Sequence, residues 1–141
     1  MTPEQCAQML DAHPDYRVLR RLPHRDVFEP NAAGVALAKG IILDTETTGL
    51  SSETDRVIEL GMLLFEFDPT TGVVHRLLHS FDQLEDPGMP IPSASTQVHH
   101  ITDAMVQGQR IDDDAVSALL QGVSVVIAHN AAFDRDRKST V

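Results

Sequence analysis

The chain of 141 residues contains no tryptophan, one tyrosine and one cysteine. With aromatics at 4%, any core must be built from aliphatic side chains. Cys6 has no partner cysteine, which excludes an internal disulfide. Basic residues are scarce: 11 Lys and Arg stand against 21 Asp and Glu, a formal net charge of −10. That balance excludes a broad cationic surface of the kind that grips a phosphate backbone. It leaves open chemistry on nucleic acid in which bound divalent cations neutralise part of the charge. No uncharged apolar run approaches the ~18 residues that span a bilayer. The start, Met1-Thr2-Pro3-Glu4, reads as a capped helix rather than a basic and then apolar leader. The expectation is a cytoplasmic protein with no membrane partner.

Hydrophobic content of 42% and charged content of 23% match an ordinary globular domain, and the length fits one domain with a real core. Thr2 is placed to cap a short helix, with Pro3 at its first position and Glu4 in its first turn. Cys6, Met9 and Leu10 come next at helical spacing, and Pro14 ends it. Residues 17–25 hold four arginines, and Pro23, Pro30 and Asn31 break the chain into short irregular pieces. Residues 1–34 therefore read as a helical appendage on a main domain of residues 35–141. Its basic cluster reads first as a solvated face and second as a contact for a phosphate backbone.

From Val35 the pattern changes. Residues 35–43 read as a strand interrupted at Ala38-Lys39-Gly40, and residues 57–67 as a second, largely buried strand. Asp68-Pro69-Thr70-Thr71-Gly72 is a turn sequence, because Pro69 presets φ and Gly72 accepts a positive φ. Residues 73–81 then pair back as an antiparallel hairpin. The segment from Asp86 to Pro92 is a stiff connector. Helical pieces are expected at residues 93–98, 103–106 and 112–120, the last with an apolar stripe of Val116, Leu119 and Leu120 behind three aspartates that suit a helix start. Residues 124–128 read as a short buried strand, and His129-Asn130-Ala131-Ala132-Phe133-Asp134 as a turn into a new helix. Strands, a hairpin and then helices alternating with a further strand give a mixed α/β domain.

The most informative segment is Asp44-Thr45-Glu46-Thr47-Thr48-Gly49, directly after the apolar run Ile41-Ile42-Leu43. Asp and Thr after a strand are also ordinary loop and cap residues, and an isolated Asp-x-Glu arises by chance. On a strand, however, residues i and i+2 share a face, so Asp44 and Glu46 project their carboxylates side by side. Two such anions raise each other's pKa unless a cation lies between them. Hard oxygen ligands suit Mg²⁺ or Mn²⁺ rather than zinc. Asp134, on the first turn of a helix after a buried strand, is placed to face the same strand ends.

Three ordered motifs carry a family resemblance. Ile42-Leu43-Asp44-Thr45-Glu46-Thr47-Thr48-Gly49-Leu50 with Val57-Ile58-Glu59-Leu60-Gly61 resembles the first motif of the DEDD exonucleases. Val98-His99-His100-Ile101-Thr102 resembles the segment between their motifs, and the stretch from Val126 to Asp134 resembles their second motif. The likeness, over about residues 39–134, is to the DEDDh subgroup related to the epsilon subunit of bacterial DNA polymerase III. It implies an RNase H-like mixed sheet flanked by helices and removal of nucleotides from a 3′ end of nucleic acid, single-stranded DNA favoured, with two metal ions. By carry-over Asp44 bridges both metals, Glu46 binds one and helps place the water, and Asp134 serves the other. Thr45, Thr47, Leu50, His99 and Phe133 would receive the terminal nucleotide. A DNA polymerase and a role in DNA replication are implied as well.

The chain departs from the pattern twice. His100 stands where the family usually has Gly. The third motif, with its histidine general base and fourth aspartate, has no counterpart before Val141, so the domain is expected to be incomplete at its C-terminal end and to expose a sheet edge. The resemblance then implies weak metal binding and hydrolysis near background. A non-catalytic nucleic-acid-binding or polymerase-interacting module is the alternative, and a chain that does not fold stably is the third possibility.

Overall fold

A computed structural model describes residues 1–51 and 53–128. Its elements are α1 (Pro3–Asp11), β1 (Ala38–Thr47), β2 (Val57–Phe67), β3 (Val74–Leu84), α2 (Ser93–His99), α3 (Asp103–Val106), α4 (Asp113–Leu120) and β4 (Val123–Ala128). The strands form one mixed sheet in the order β3-β2-β1-β4, with β1–β2 and β2–β3 antiparallel and β1–β4 parallel. The parallel pair requires a long crossover, and the chain leaves α4 to enter β4.

The α1 start obeys its local sequence. Thr2 and Gln5 form a reciprocal capping box ahead of Pro3. The β2–β3 turn is held by the Asp68 carboxylate, which accepts from Thr70 N at 2.8 Å and from Thr71 Oγ1 at 2.9 Å. These bonds, the Thr70 amide first, hold the Asp68 carboxyl below its ordinary value. At α4, Asp112 caps through the Ala115 amide at 3.0 Å, and Asp113 and Asp114 sit in the first turn, where negative charge meets the positive end of the helix dipole.

One face of the sheet is the core. Ile41, Leu43, Met62 and Phe81 pack with Val57 and Ile111 against Ala115, Val116, Leu119 and Leu120. A second cluster of Ile58, Ile91, Ile101 and Val106 seats α2 and α3 at the sheet's end. The connections there are tied to β3: Ile111 N donates to Glu85 at 2.6 Å and Asp112 N to Gln83 at 2.8 Å.

Several expectations about the strands change, beginning with β4, expected to be buried, whose Val125, Val126 and Ile127 are exposed. Ala38-Lys39-Gly40 does not interrupt a strand begun at Val35 but opens β1, and Gly40 is a packing requirement: a Cβ there would lie 2.3 Å from the Phe65 ring. Nor does β1 end at Leu43, since its pairing with β2 continues through Asp44, Thr45 and Glu46. Strand β3 likewise runs on to Leu84.

The outer edge of β3 is partly covered by residues 26–29. Leu77 N donates to Asp26 O at 2.7 Å and Phe28 N to His75 O at 2.9 Å, around a bridge between Val27 and Arg76. His75 Nδ1 lies 2.7 Å from the Glu29 carbonyl, a contact in which the ring nitrogen donates. Covering unpaired strand groups protects an edge from adventitious pairing.

Candidate active site

Because side chains alternate along a strand, Asp44 and Glu46 face away from the core that Ile41 and Leu43 enter. The register extends this face across three strands. Asp44 lies opposite Gly61, which lies opposite Asp82; Glu46 lies opposite Glu59. Four carboxylates therefore share one end of one sheet face. Among the described residues none of the four forms an ion pair with Lys, Arg or His.

The electrostatic consequence falls on Glu59. Burial first, then the charges of Asp82 and Glu46, a hydrogen bond with Asp82 and the charge of Asp44 push its carboxyl above the ordinary carboxylate value. A divalent cation at Asp44 and Glu46 would relieve part of this repulsion. The donor set is all oxygen and fits a hard ion. Among the described residues no group of three or more His, Cys, Asp or Glu is arranged to hold a metal ion. Asp44 and Glu46 thus offer two ligands, while Glu59 is engaged with Asp82. Asp134 and Phe133, the other expected site residues of the second motif, lie outside the described residues.

Beside Asp44 the face is hollowed into a trough of about 280 Å³, walled by Ile42, Asp44, Leu63, Ser80 and Asp82. Gly61 forms its floor, and a Cβ there would meet nothing nearer than the Asp44 carbonyl oxygen at 3.9 Å.

The loop after the carboxylates is rigidly built. Thr48 is 1% exposed. Its hydroxyl donates to Asp55 Oδ1 at 3.0 Å and accepts from Arg56 N at 2.9 Å. Asp55 also accepts from Ser51 N at 2.9 Å, and a Cβ on Gly49 would collide with this carboxylate at 2.5 Å. Ser95 Oγ donates to Thr48 O at 2.7 Å, docking α2 on the loop.

The expected nucleotide contacts have different settings. Leu50 is 87% exposed. Thr47 is buried and its hydroxyl donates to Gly49 O at 2.6 Å, so it shapes the loop from inside. Thr45 is half-buried on the core side of β1. His99 Nδ1 accepts from Ile101 N at 3.0 Å, which leaves the proton on Nε2, a buried atom with no partner among the described residues. His100 caps α2 with φ +65°, the left-handed conformation that glycine adopts most easily. Sequence reasoning did not anticipate Glu59 and Asp82 as neighbours of the pair; the signal available was an acidic residue inside the apolar run of β2.

The sheet order, the crossover and the carboxylates on the central strand define a mixed α/β protein with an acidic site at one end of its sheet. Residues 41–136 match the family model described as Exonuclease, so the chain belongs to the exonuclease family. The epsilon subunit of DNA polymerase III from Treponema pallidum is 38% identical over 93 residues, covering 64% of this chain and 40% of that protein. The PolC-type DNA polymerase III of Clostridium perfringens is 36% identical over 96 residues, covering 67% of this chain and 6% of that one. An epsilon-like protein from Rhodobacter capsulatus is 38% identical over 104 residues, with 67% and 13% covered. The chain thus spans only a minor part of these relatives. Among solved structures, Exonuclease X in complex with 5′ overhanging duplex DNA matches with a TM-score of 0.51 and 28% identity over 69% of this chain and 52% of that one. E. coli Exonuclease I in complex with a dA16 oligonucleotide matches with a TM-score of 0.55 at 15% identity, over 71% and 22%, a likeness of fold. The fold is RNase H-like.

Proposed function

We propose that this domain removes nucleotides from the 3′ end of single-stranded DNA by hydrolysing phosphodiester bonds with divalent cations. The observation that carries this reading is the side-by-side placement of Asp44 and Glu46 on a central strand, among further carboxylates and, among the described residues, without an ion-paired cation, in a chain of the exonuclease family. Structural ion pairs are excluded as the reason for such a cluster, since like charges opposite one another on a sheet are destabilising.

Asp44 and Glu46 would hold Mg²⁺ or Mn²⁺, with Asp134 as the further ligand. Such ions polarise the phosphoryl oxygen and supply a water of lowered pKa. The protein contributes placement. Strand pairing fixes the two carboxylates, and the Thr48–Asp55–Ser95 network fixes the loop from Thr47 to Leu50 beside them. Leu50 would meet the terminal base, Thr45 and Thr47 would present backbone, and His99 and Phe133 would complete the nucleotide's surroundings.

Relatives named as DNA polymerase III components support a polymerase as partner and a role in replication. Among the described residues no helix is long and apolar enough to cross a membrane, and a cytoplasmic setting is proposed on the same relatives.

The test is release of nucleotides from 3′-labelled single-stranded DNA with Mn²⁺, comparing the chain with Asp44→Ala. Slow release that requires Mn²⁺ and falls at least about tenfold in the variant is expected, because a metal ligand is worth several kcal/mol of transition-state stabilisation. Equal release from both proteins would remove Asp44 from the chemistry. No release with DNA binding retained would favour the non-catalytic module.

A further inference from the structure

We infer a second nucleic-acid contact, for the single strand leading to the 3′ end, in a cationic groove formed by residues 21–28 against β3; this rests on the exonuclease reading above. The groove, of about 760 Å³, is lined by Arg21, Leu22, His24, Arg25, Phe28 and Leu77.

Charge is the first argument. Four of the chain's 11 Lys and Arg fall in residues 17–25, which contain no Asp or Glu, although the whole chain carries −10. A concentration of one sign against a strong opposite background marks a surface for a ligand of opposite charge. One neighbouring cation is already paired, Arg20, bonded through both terminal nitrogens to Glu4 at 2.8 Å, and the His24 ring lies 3.0 Å from Asp26. Arg21 and Arg25, the two arginines in the groove wall, form no ion pair among the described residues.

The second argument is the mixture of side chains. Arg25 lies over the Phe28 ring, 5.7 Å from its centroid. Phe28 remains 45% exposed and Leu22 86%. Cations interleaved with an exposed aromatic suit single strands, whose phosphates take the charge and whose bases stack on the ring or the guanidinium. An acidic peptide would use the arginines but not the stacking surface.

Position is the third. Leu77 pairs with Phe65, which pairs with Gly40. Gly40 shares its side of β1 with Ile42 and Asp44, so the groove opens on the sheet face that carries the carboxylates. Leu77 and Asp82 pair with Phe65 and Gly61, four residues apart on β2, about 14 Å at ~3.4 Å per residue. The trough walled by Ser80 and Leu63 lies between them. A strand with its 3′ end at Asp44 can therefore run along one continuous face to Arg21 and Arg25.

The experiment is fluorescence anisotropy of a labelled dT20 oligonucleotide with the full chain in EDTA, which stops hydrolysis, from 50 to 200 mM salt. Removing two phosphate contacts lowers the single-strand salt slope by about 1.4. Raising the salt fourfold should therefore cost the wild type about sevenfold more affinity than Arg21→Gln/Arg25→Gln. Arg21→Lys/Arg25→Lys should keep the slope. Both arginines are at the surface, and an unchanged melting profile of the variants separates lost binding from lost folding. Equal affinity and slope in the glutamine variant would overturn the proposal. So would a polyglutamate peptide that binds the groove while dT20 does not. Binding of the expected kind without any nucleotide release in Mn²⁺ would overturn the catalytic reading alone and leave the groove standing.

Discussion

The two ends of the sheet handle charge in opposite ways. At one end Lys39, Glu66 and Arg76 lie opposite one another on β1, β2 and β3, and Arg76 bonds Glu66 at 2.6 Å. Opposite charges alternate there, as a sheet stabilised by its own side chains requires. At the other end Glu46 faces Glu59, with Asp44 and Asp82 one step away, and all four are carboxyl groups. The first arrangement is complete in itself. The second is destabilising unless something positive joins it, which is the physical mark of a site rather than of a scaffold.

Four substitutions sharpen this contrast. Gly40→Ala has the largest effect: Phe65 is 4% exposed and cannot retreat from a Cβ placed 2.3 Å from its ring. A loss of about 3 kcal/mol is expected in chemical denaturation, the upper range for overpacking. An unchanged midpoint would show that β1 and β2 are not in the register described. At the site end, Asp55→Ala leaves the buried Thr48 hydroxyl and the Ser51 amide without their acceptor. About 2 kcal/mol is expected to be lost, with faster proteolysis in residues 48–56 as the accompanying readout.

Glu59→Gln acts in the reverse direction. A carboxyl whose pKa is raised in the folded state binds more protons there than in the unfolded chain. Its contribution to stability is complete below the ordinary value of 4.5 and is lost as pH rises through the raised value. Metal-free protein should therefore soften over that interval, and Glu59→Gln should flatten the profile and raise Tm at neutral pH. A variant with the same pH dependence as the wild type would mean that Glu59 does not sense the cluster. Arg76→Gln, at the scaffold end, removes an exposed pair of the kind that contributes little; its Tm should stay close to wild type. A large loss there would erase the contrast between the two ends.

Much of this is legible in the residues because it depends on local rules. The capping box at Thr2, the turn at Asp68–Gly72 and the aspartates opening α4 each act within four positions. The pairing of Asp44 with Glu46 needs only strand alternation. Glu59 and Asp82 are hidden because their place depends on the register of three strands, which no short window contains. Gly40 reads as a break in the sequence for a related reason: the ring that demands it comes from β2. Residues 26–29 are legible only as broken chain, since their partners are on β3. His100 stands out in either view, as a departure from the glycine the family resemblance leads one to expect and as a left-handed residue capping α2.

The most direct test of the metal site is a Mn²⁺ titration monitored by electron paramagnetic resonance on the metal-free chain, on Asp44→Ala and on Asp82→Asn. The wild type should bind Mn²⁺, Asp44→Ala should bind at least about tenfold more weakly, and Asp82→Asn should stay nearer the wild type. Equal binding by all three would contradict the assignment of Asp44 and Glu46 as the ligands.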